Sequence, residues 1–226
     1  DVYFEVHLVN YLPYRHLIAA QLNAILPISN KGKEAIEKIW NLKDLSTVHV
    51  SRLGVKGQEK ITQPVSKLLV SCSNVIPLKR VALIIEGLKK LTFPIRWVHF
   101  GDGPEMERLQ LLASDLPENV TVEWKGRVPN SEVLDLYRTE QPTVFINVSS
   151  SEGIPVSIME AMSLGIPCIA TDVGGNGEIV NDTNGILLSY HPTAQDIATA
   201  ISAFFEPSKV QAKGDGAYLT WKERYN

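Results

Sequence analysis

The sequence predicts an α/β protein, a Rossmann-like parallel sheet with helices on both faces, joined to an incomplete second α/β domain. Three observations predict it. Strand-like and helix-like segments alternate almost throughout. Several strand-like runs, such as Thr143 to Val148, are rich in β-branched residues, as buried strands are. Hydrophobic residues make up 44% of the 226 positions and charged residues 21%, which suits a globular chain with an ample core.

The elements follow in order. Over residues 1–60 the pattern reads helix, strand, helix, strand: Pro13 to Leu22, Ala24 to Ile28, a helix capped by Ser29 or Asn30, and Thr47 to Ser51. In the second helix Ala35, Ile36, Ile39 and Trp40 fall at helical spacing. Four elements cannot cover both faces of a parallel sheet, so this block reads as the tail of a larger domain. A polar segment from Gly54 to Pro64 follows and is expected to be an interdomain linker. The charge changes there too: residues 1–60 carry a net +2 and residues 61–226 a net −5.

Residues 61–226 form the fuller block. Strands are expected at Lys67 to Ser71, Ile95 to Phe100, Val120 to Trp124, Thr143 to Val148, Cys168 to Thr171 and Gly185 to Leu188. Helices are expected at Arg80 to Leu91, Glu105 to Ala113, Ser131 to Tyr137, Pro155 to Leu164, near Gly177 to Val180, and Ala194 to Phe205. Gly165 suits the C-cap of the Pro155 helix. The segment from Val210 to Tyr225 reads as a helix weakened by Gly214 and Gly216. The rhythm implies right-handed crossovers.

Composition excludes several classes. The formal charge of −3 gives no support to bulk nucleic-acid binding. No run reaches the ~18 apolar residues of a membrane span. The opening Asp1-Val-Tyr-Phe-Glu5 has neither the basic start nor the apolar core of a signal peptide. Cys72 and Cys168 each lie in an apolar run, which reads as two buried, reduced thiols of a cytoplasmic protein. His7, His16, His49, His99 and His191 show no metal spacing, so no metal site is expected. His49 and His99 read as satisfied core residues.

Ligands of an open parallel sheet bind beyond the carboxyl ends of its strands. After Thr143 to Val148 comes Glu152-Gly-Ile-Pro-Val-Ser-Ile-Met-Glu160. Pro155 suits the first helical position, and Gly153 lets backbone approach a ligand. The amides of Ile154, Val156 and Ser157 then offer an anion site at the positive end of the helix. Glu152 and Glu160 flank it. A carboxylate beside phosphate is repelled unless it accepts hydrogen bonds from sugar hydroxyls, so the set describes a nucleotide-sugar site. Alternatively Glu152 answers the helix dipole and Glu160 is a solvated helix residue.

Other strand ends add candidates. Lys79 stands where its charge can reach a diphosphate, or is a solvated lysine. Gly101-Asp-Gly103 lacks the third glycine of a dinucleotide fingerprint, which counts against an NAD-dependent sugar-nucleotide epimerase and leaves a tight turn. Around Gly126 and Arg127, exposed backbone can read a nucleobase edge, or the segment is an ordinary loop. Gly174-Gly-Asn-Gly177 reads as turn glycines or as a loop closing near the donor sugar.

These residues resemble a known family. The stretch Glu152 to Pro167 resembles the signature of glycosyltransferase family four, the retaining transferases of GT-B fold. Phe100-Gly-Asp-Gly-Pro104, Trp124-Lys-Gly-Arg-Val128 and Thr171-Asp-Val-Gly-Gly175 are similar to its further motifs, in the same order. Trp221-Lys-Glu-Arg-Tyr-Asn226 resembles the helix that crosses back to the first domain. The resemblance implies that residues 61–226 are the nucleotide-sugar donor domain, the C-terminal half of a GT-B fold, and that 1–60 are a remnant of the acceptor-side domain with its linker.

It also implies roles. Glu152 holds donor-sugar hydroxyls, Glu160 the ribose, and the backbone of Gly153, Ile154, Pro155, Val156 and Ser157 the diphosphate. Lys79 stabilises the leaving phosphate, so Glu152 and Lys79 carry the catalysis. Gly101, Gly126 and Arg127 serve the donor through backbone. The implied reaction retains configuration and needs neither metal nor cofactor. The acceptor is a glycan or lipid-linked sugar, with peripheral membrane contact and no membrane span. One departure stands at Asn74, a donor-binding position where the family usually has an arginine. Losing such a clamp costs about 2–4 kcal/mol of transition-state stabilisation. That leaves two readings open, a transferase whose fragment is weakly active and a nucleotide-sugar binding module without turnover.

Overall fold

The structure is a computed structural model that describes residues 14–40, 45–61, 67–205 and 207–226. The chain divides into two compact units, Asp1–Leu53 and Gly54–Asn226.

The first unit contains helices α1 (Arg15–Ala19) and α2 (Asn30–Trp40). Pro13, the expected start of α1, lies outside the described residues. Ser29 caps α2: its hydroxyl accepts the amide of Gly32 at 2.9 Å. The two expected strands are reduced to a short parallel pairing around Ile25 and Val48. Three bonds hold it, Ile25 N to Thr47 O, His49 N to Ile25 O and Ser51 N to Pro27 O. Pro27 has no amide to donate, which shortens the ladder.

The second unit is a six-stranded parallel sheet. Its strands are β1 (Leu68–Cys72), β2 (Ile95–Phe100), β3 (Val120–Gly126), β4 (Val144–Asn147), β5 (Cys168–Thr171) and β6 (Gly185–Leu188). Its helices are α3 (Val81–Leu88), α4 (Met106–Ala113), α5 (Asn130–Glu140), α6 (Val156–Ser163), α7 (Asn176–Ile179), α8 (Ala194–Ala203) and α9 (Pro207–Arg224). The expected elements all form, within a few residues of their expected ends.

Strand residues alternate between two cores, as a period of two requires. Leu68, Val70, Val98, Phe145 and Ala170 face α5, α6 and α9. Leu69, Trp97, Val144, Ile146 and Ile169 face α3, α4 and α8. The expected apolar stripe of α3, at Val81, Ile84, Ile85 and Leu88, is buried, as is Leu91 just beyond it.

Two expectations change. Gly214 and Gly216 do not interrupt the last helix, which runs 18 residues. They let it approach other backbone: a Cβ on Gly214 would stand 2.7 Å from the carbonyl oxygen of Gly165, and one on Gly216 2.1 Å from that of Thr183. Residues 54–61, expected as linker, are part of the second unit. Val55 N donates to Tyr225 O at 2.9 Å, Trp221 Nε1 to Val55 O at 3.2 Å, and Ile61 N to Leu164 O at 2.9 Å. Lys60 pairs with Asp215. The rest of that segment, residues 62–64, lies outside the described residues.

Candidate functional site

The strand order is β3-β2-β1-β4-β5-β6. The helix after β1 packs on one face and the helix after β4 on the other, so the crossovers part between these neighbouring strands. Such a switch point opens a crevice at the carboxyl ends, where ligands of this architecture bind. β1 ends at Cys72 and β4 at Asn147, and a small hollow between them is lined by Ser71, Cys72, Lys79, Asn147 and Ser149.

Lys79 and Glu152 meet at this hollow. Lys79 closes a 3₁₀ turn (Pro77–Lys79) after β1, and Glu152 lies in the loop after β4. Lys79 Nζ is 2.6 Å from Glu152 Oε1, with side chains 19% and 10% exposed. Asn147 Nδ2 donates to the same oxygen at 3.1 Å, while Asn147 Oδ1 accepts the amide of Ser149 at 3.0 Å. Both bonds fall on Oε1; among the described residues Oε2 accepts none and retains its capacity for hydroxyl donors.

The tip of α6 adjoins this loop. Pro155 is the N-cap, at φ −68 and ψ 125, rather than the first helical residue, and no side chain caps the helix. Gly153 is exposed and Val156 is 44% exposed, whereas the side chains of Ile154 and Pro155 are buried. Ile154 sits in the core and can serve a ligand only through its backbone. Ser157 is half-buried.

Glu160, one turn into α6, is half-buried and accepts Asn130 Nδ2 at 2.8 Å. Burial raises its carboxyl pKa, and the Asn130 bond partly opposes that. The Cys72 thiol is pushed up to about 11, by burial first and by the charge of Glu160 second. Glu160 thus acts electrostatically on a residue that lines the same hollow as Lys79.

The neighbouring strand exits brace the site. Gly174 has φ +49, and a Cβ there would lie 1.6 Å from Glu152 O. Gly175 N donates to Gly153 O at 2.7 Å, and Thr171 Oγ1 to Ser149 O at 2.6 Å. Gly174 is therefore a close-approach residue that, with the Gly175 amide, presses one turn onto the Glu152 peptide. Gly101, at φ +128, would drive a Cβ to 1.8 Å from Ser73 O. Its amide donates to Gly126 O at 2.8 Å. Gly126, at φ +63, has nothing within 4 Å of where a Cβ would be and borders open space.

Lys79 and Glu152 are brought into contact, then, with Gly153 and the α6 tip adjoining. Asn74 and Arg127 are exposed and touch neither member of the pair. Asn147 and Asn130, which orient the two glutamates, were missed by sequence reasoning. The only signal for Asn147 is a polar residue ending an apolar strand. Arg80 was missed as well: its guanidinium binds main-chain carbonyls of the β4 exit.

Beneath the crevice His99 is fully buried. Trp97 Nε1 donates to Ser71 Oγ at 2.9 Å, and Ser71 Oγ lies 2.8 Å from His99 Nδ1. Since indole only donates, the serine hydroxyl is free to donate to the imidazole. Burial holds the His99 pKa down to about 4, so the ring is neutral at pH 7. Among the described residues no three His, Cys, Asp or Glu side chains gather as a metal site, and no helix is long and apolar enough to cross a membrane.

The family model for glycosyl transferases group 1 matches residues 57–214. The putative colanic acid biosynthesis glycosyltransferase WcaL of Escherichia coli (strain K12) is 28% identical over 217 residues, 90% of this chain and 53% of that protein. The GtfA subunit of the UDP-N-acetylglucosamine–peptide N-acetylglucosaminyltransferase of Streptococcus parasanguinis is 25% identical over 86% of this chain and 39% of its own length. Among solved structures, Anabaena Alr3699/HepE in complex with UDP-glucose superposes with a TM-score of 0.76 at 17% identity, covering 96% of this chain and 64% of that one. The chain thus spans about two fifths to one half of the length of these curated relatives.

Proposed function

The chain belongs to the glycosyl transferases group 1 family, and from that premise we propose that it is the donor-binding half of a retaining glycosyltransferase. Its substrate is a nucleotide diphosphate sugar. The observation that carries this reading is the Lys79–Glu152 pair, at 2.6 Å, in the switch-point crevice beside an uncapped helix tip.

The α6 tip supplies backbone donors and a positive dipole end for the diphosphate. Lys79 adds a full charge for the leaving phosphate oxygen, where negative charge grows as the glycosidic bond breaks. Glu152 accepts hydroxyls of the transferred sugar through Oε2, while its Oε1 stays paired with Lys79. Glu160, held by Asn130, accepts the ribose hydroxyls. Gly126 and Arg127 meet the base mainly through backbone, and Gly101, whose amide holds Gly126 O, serves the donor beside them. The acceptor, a glycan or lipid-linked sugar, attacks from the face the leaving group departs, which retains configuration. No metal or cofactor takes part in this scheme. Residues 1–60 serve the acceptor side, and the protein works in the cytoplasm, in peripheral contact with a membrane. The UDP-glucose bound by HepE supports a uridine nucleotide as the first donor to test.

Asn74 favours a second reading, a module that binds sugar nucleotides without turnover, because an exposed amide replaces the charge the family motif carries there. Calorimetric titration with UDP-glucose, GDP-mannose and ADP-glucose, followed by a nucleoside diphosphate release assay, tests both. Binding with release supports the transferase, and binding without release in a longer chain supports the module. No binding by any of the three overturns the site assignment.

A further inference from the structure

Arg80 occupies a conformation that glycine adopts without strain. Its φ of 48 and ψ of 36 are left-handed, and among the described residues only Gln141 is the other non-glycine with positive φ. Gln141 is an ordinary helix C-cap. Arg80 instead joins two elements, ending the 3₁₀ turn that carries Lys79 and beginning α3. Such strain persists where the side chain gains contacts that need that backbone.

The side chain shows those contacts. Nε donates to Val148 O at 2.6 Å, Nη2 to Ser149 O at 2.6 Å, and Nη1 to Tyr190 O at 3.0 Å. Val148 and Ser149 are the first two residues beyond β4, between Asn147 and Glu152; Tyr190 lies just beyond β6. Each acceptor is a main-chain carbonyl, which a planar fork engages in fixed geometry and a lysine ammonium does not. The main chain adds a parallel link, Ser150 N to Leu78 O at 2.8 Å.

We propose that Arg80 is a positioning residue for the Lys79–Glu152 pair. Its fork ties the loop that carries Glu152 to the turn that carries Lys79, and so sets the distance between ammonium and carboxylate that a sugar nucleotide meets. The proposal rests on the donor-site reading above.

The test is calorimetric titration of the full chain with whichever of UDP-glucose, GDP-mannose or ADP-glucose the parent binds most tightly. Arg80→Gly removes the fork and suits the left-handed backbone. Its melting temperature is expected to fall by several degrees with the fold retained while binding weakens about tenfold, a loss of affinity that shrinks to less than about twofold in a Lys79→Ala background. Arg80→Lys keeps the charge without the fork and is expected to restore little of the affinity.

Unchanged binding by Arg80→Gly, a loss that persists in full beside Lys79→Ala, or full rescue by Arg80→Lys each overturns the proposal. Unfolding of both Arg80 variants overturns it too, because Arg80 then serves stability alone. A parent that binds none of the three nucleotides overturns the donor-site reading itself, with no variant involved.

Discussion

Replacing Glu152 with alanine separates a structural glutamate from a donor-binding one. The carboxylate accepts Lys79 at 2.6 Å and Asn147 at 3.1 Å. A hydrogen bond to a charged group contributes about 1.5–3 kcal/mol, which covers both donors. Breaking a fully buried pair costs about 3–5 kcal/mol, because the remaining charge is stranded. Here the Lys79 side chain is 19% exposed and regains some water, which brings the expected loss to about 2–3 kcal/mol. For a unit of this size that lowers the melting temperature by roughly 4–12 °C. Adding Lys79→Ala should recover part of the loss by removing the stranded ammonium.

The binding signature differs in kind. In Glu152→Ala, Lys79 is released toward phosphate while the sugar loses its acceptor. Affinity for UDP alone should therefore hold or rise, and the preference for UDP-glucose over UDP should fall toward one. Differential scanning calorimetry and isothermal titration read the two effects separately. A lower melting temperature with the preference intact would make Glu152 a purely structural partner of Lys79. No change in either quantity would mean that Glu152 serves neither the fold nor the donor.

Three further outcomes are expected. Glu160→Ala should weaken UDP and UDP-glucose alike, by about five- to tenfold in titration, because the lost contact is to the nucleoside that both share. Gly216→Ala should lower the melting temperature and leave nucleotide affinity unchanged, since its Cβ would stand 2.1 Å from Thr183 O at a helix contact rather than at the crevice. The third concerns His99, whose folded pKa of about 4 lies below its ordinary value of 6.5. The fold favours the neutral ring, so this stabilisation is complete above pH 6.5 and is lost as pH falls toward 4, by about 3 kcal/mol in all. Urea unfolding across that range should show the parent losing more stability than His99→Gln; parallel pH profiles would count against a buried neutral imidazole.

Most of the second unit was legible because its signals are local. Apolar runs bounded by glycine and proline mark its strands, and a stripe at helical spacing marks α3. The reduced strands of the first unit were overestimated, because alternation at Thr47 to Ser51 says nothing about whether a partner can donate, and Pro27 cannot. The glycines of the last helix have a second role that local propensity does not show. Propensity counts their entropic cost, while what they permit is an approach to Gly165 and Thr183, residues distant in sequence.

Within the site, the groups themselves and the strand ends that carry them are legible locally along the chain: two glutamates around a helix start, a lysine after the first strand of the unit, and glycines at four exits. Three features come from packing alone: Lys79 and Glu152 form an ion pair across 73 positions, Asn147 and Asn130 orient the two carboxylates, and Arg80 bends into a left-handed turn to grasp the opposite loop. Spacing along a chain encodes helix faces and strand alternation. The meeting of two loops depends on which strands the sheet makes neighbours, and the order β1 beside β4 is a property of the whole packed unit.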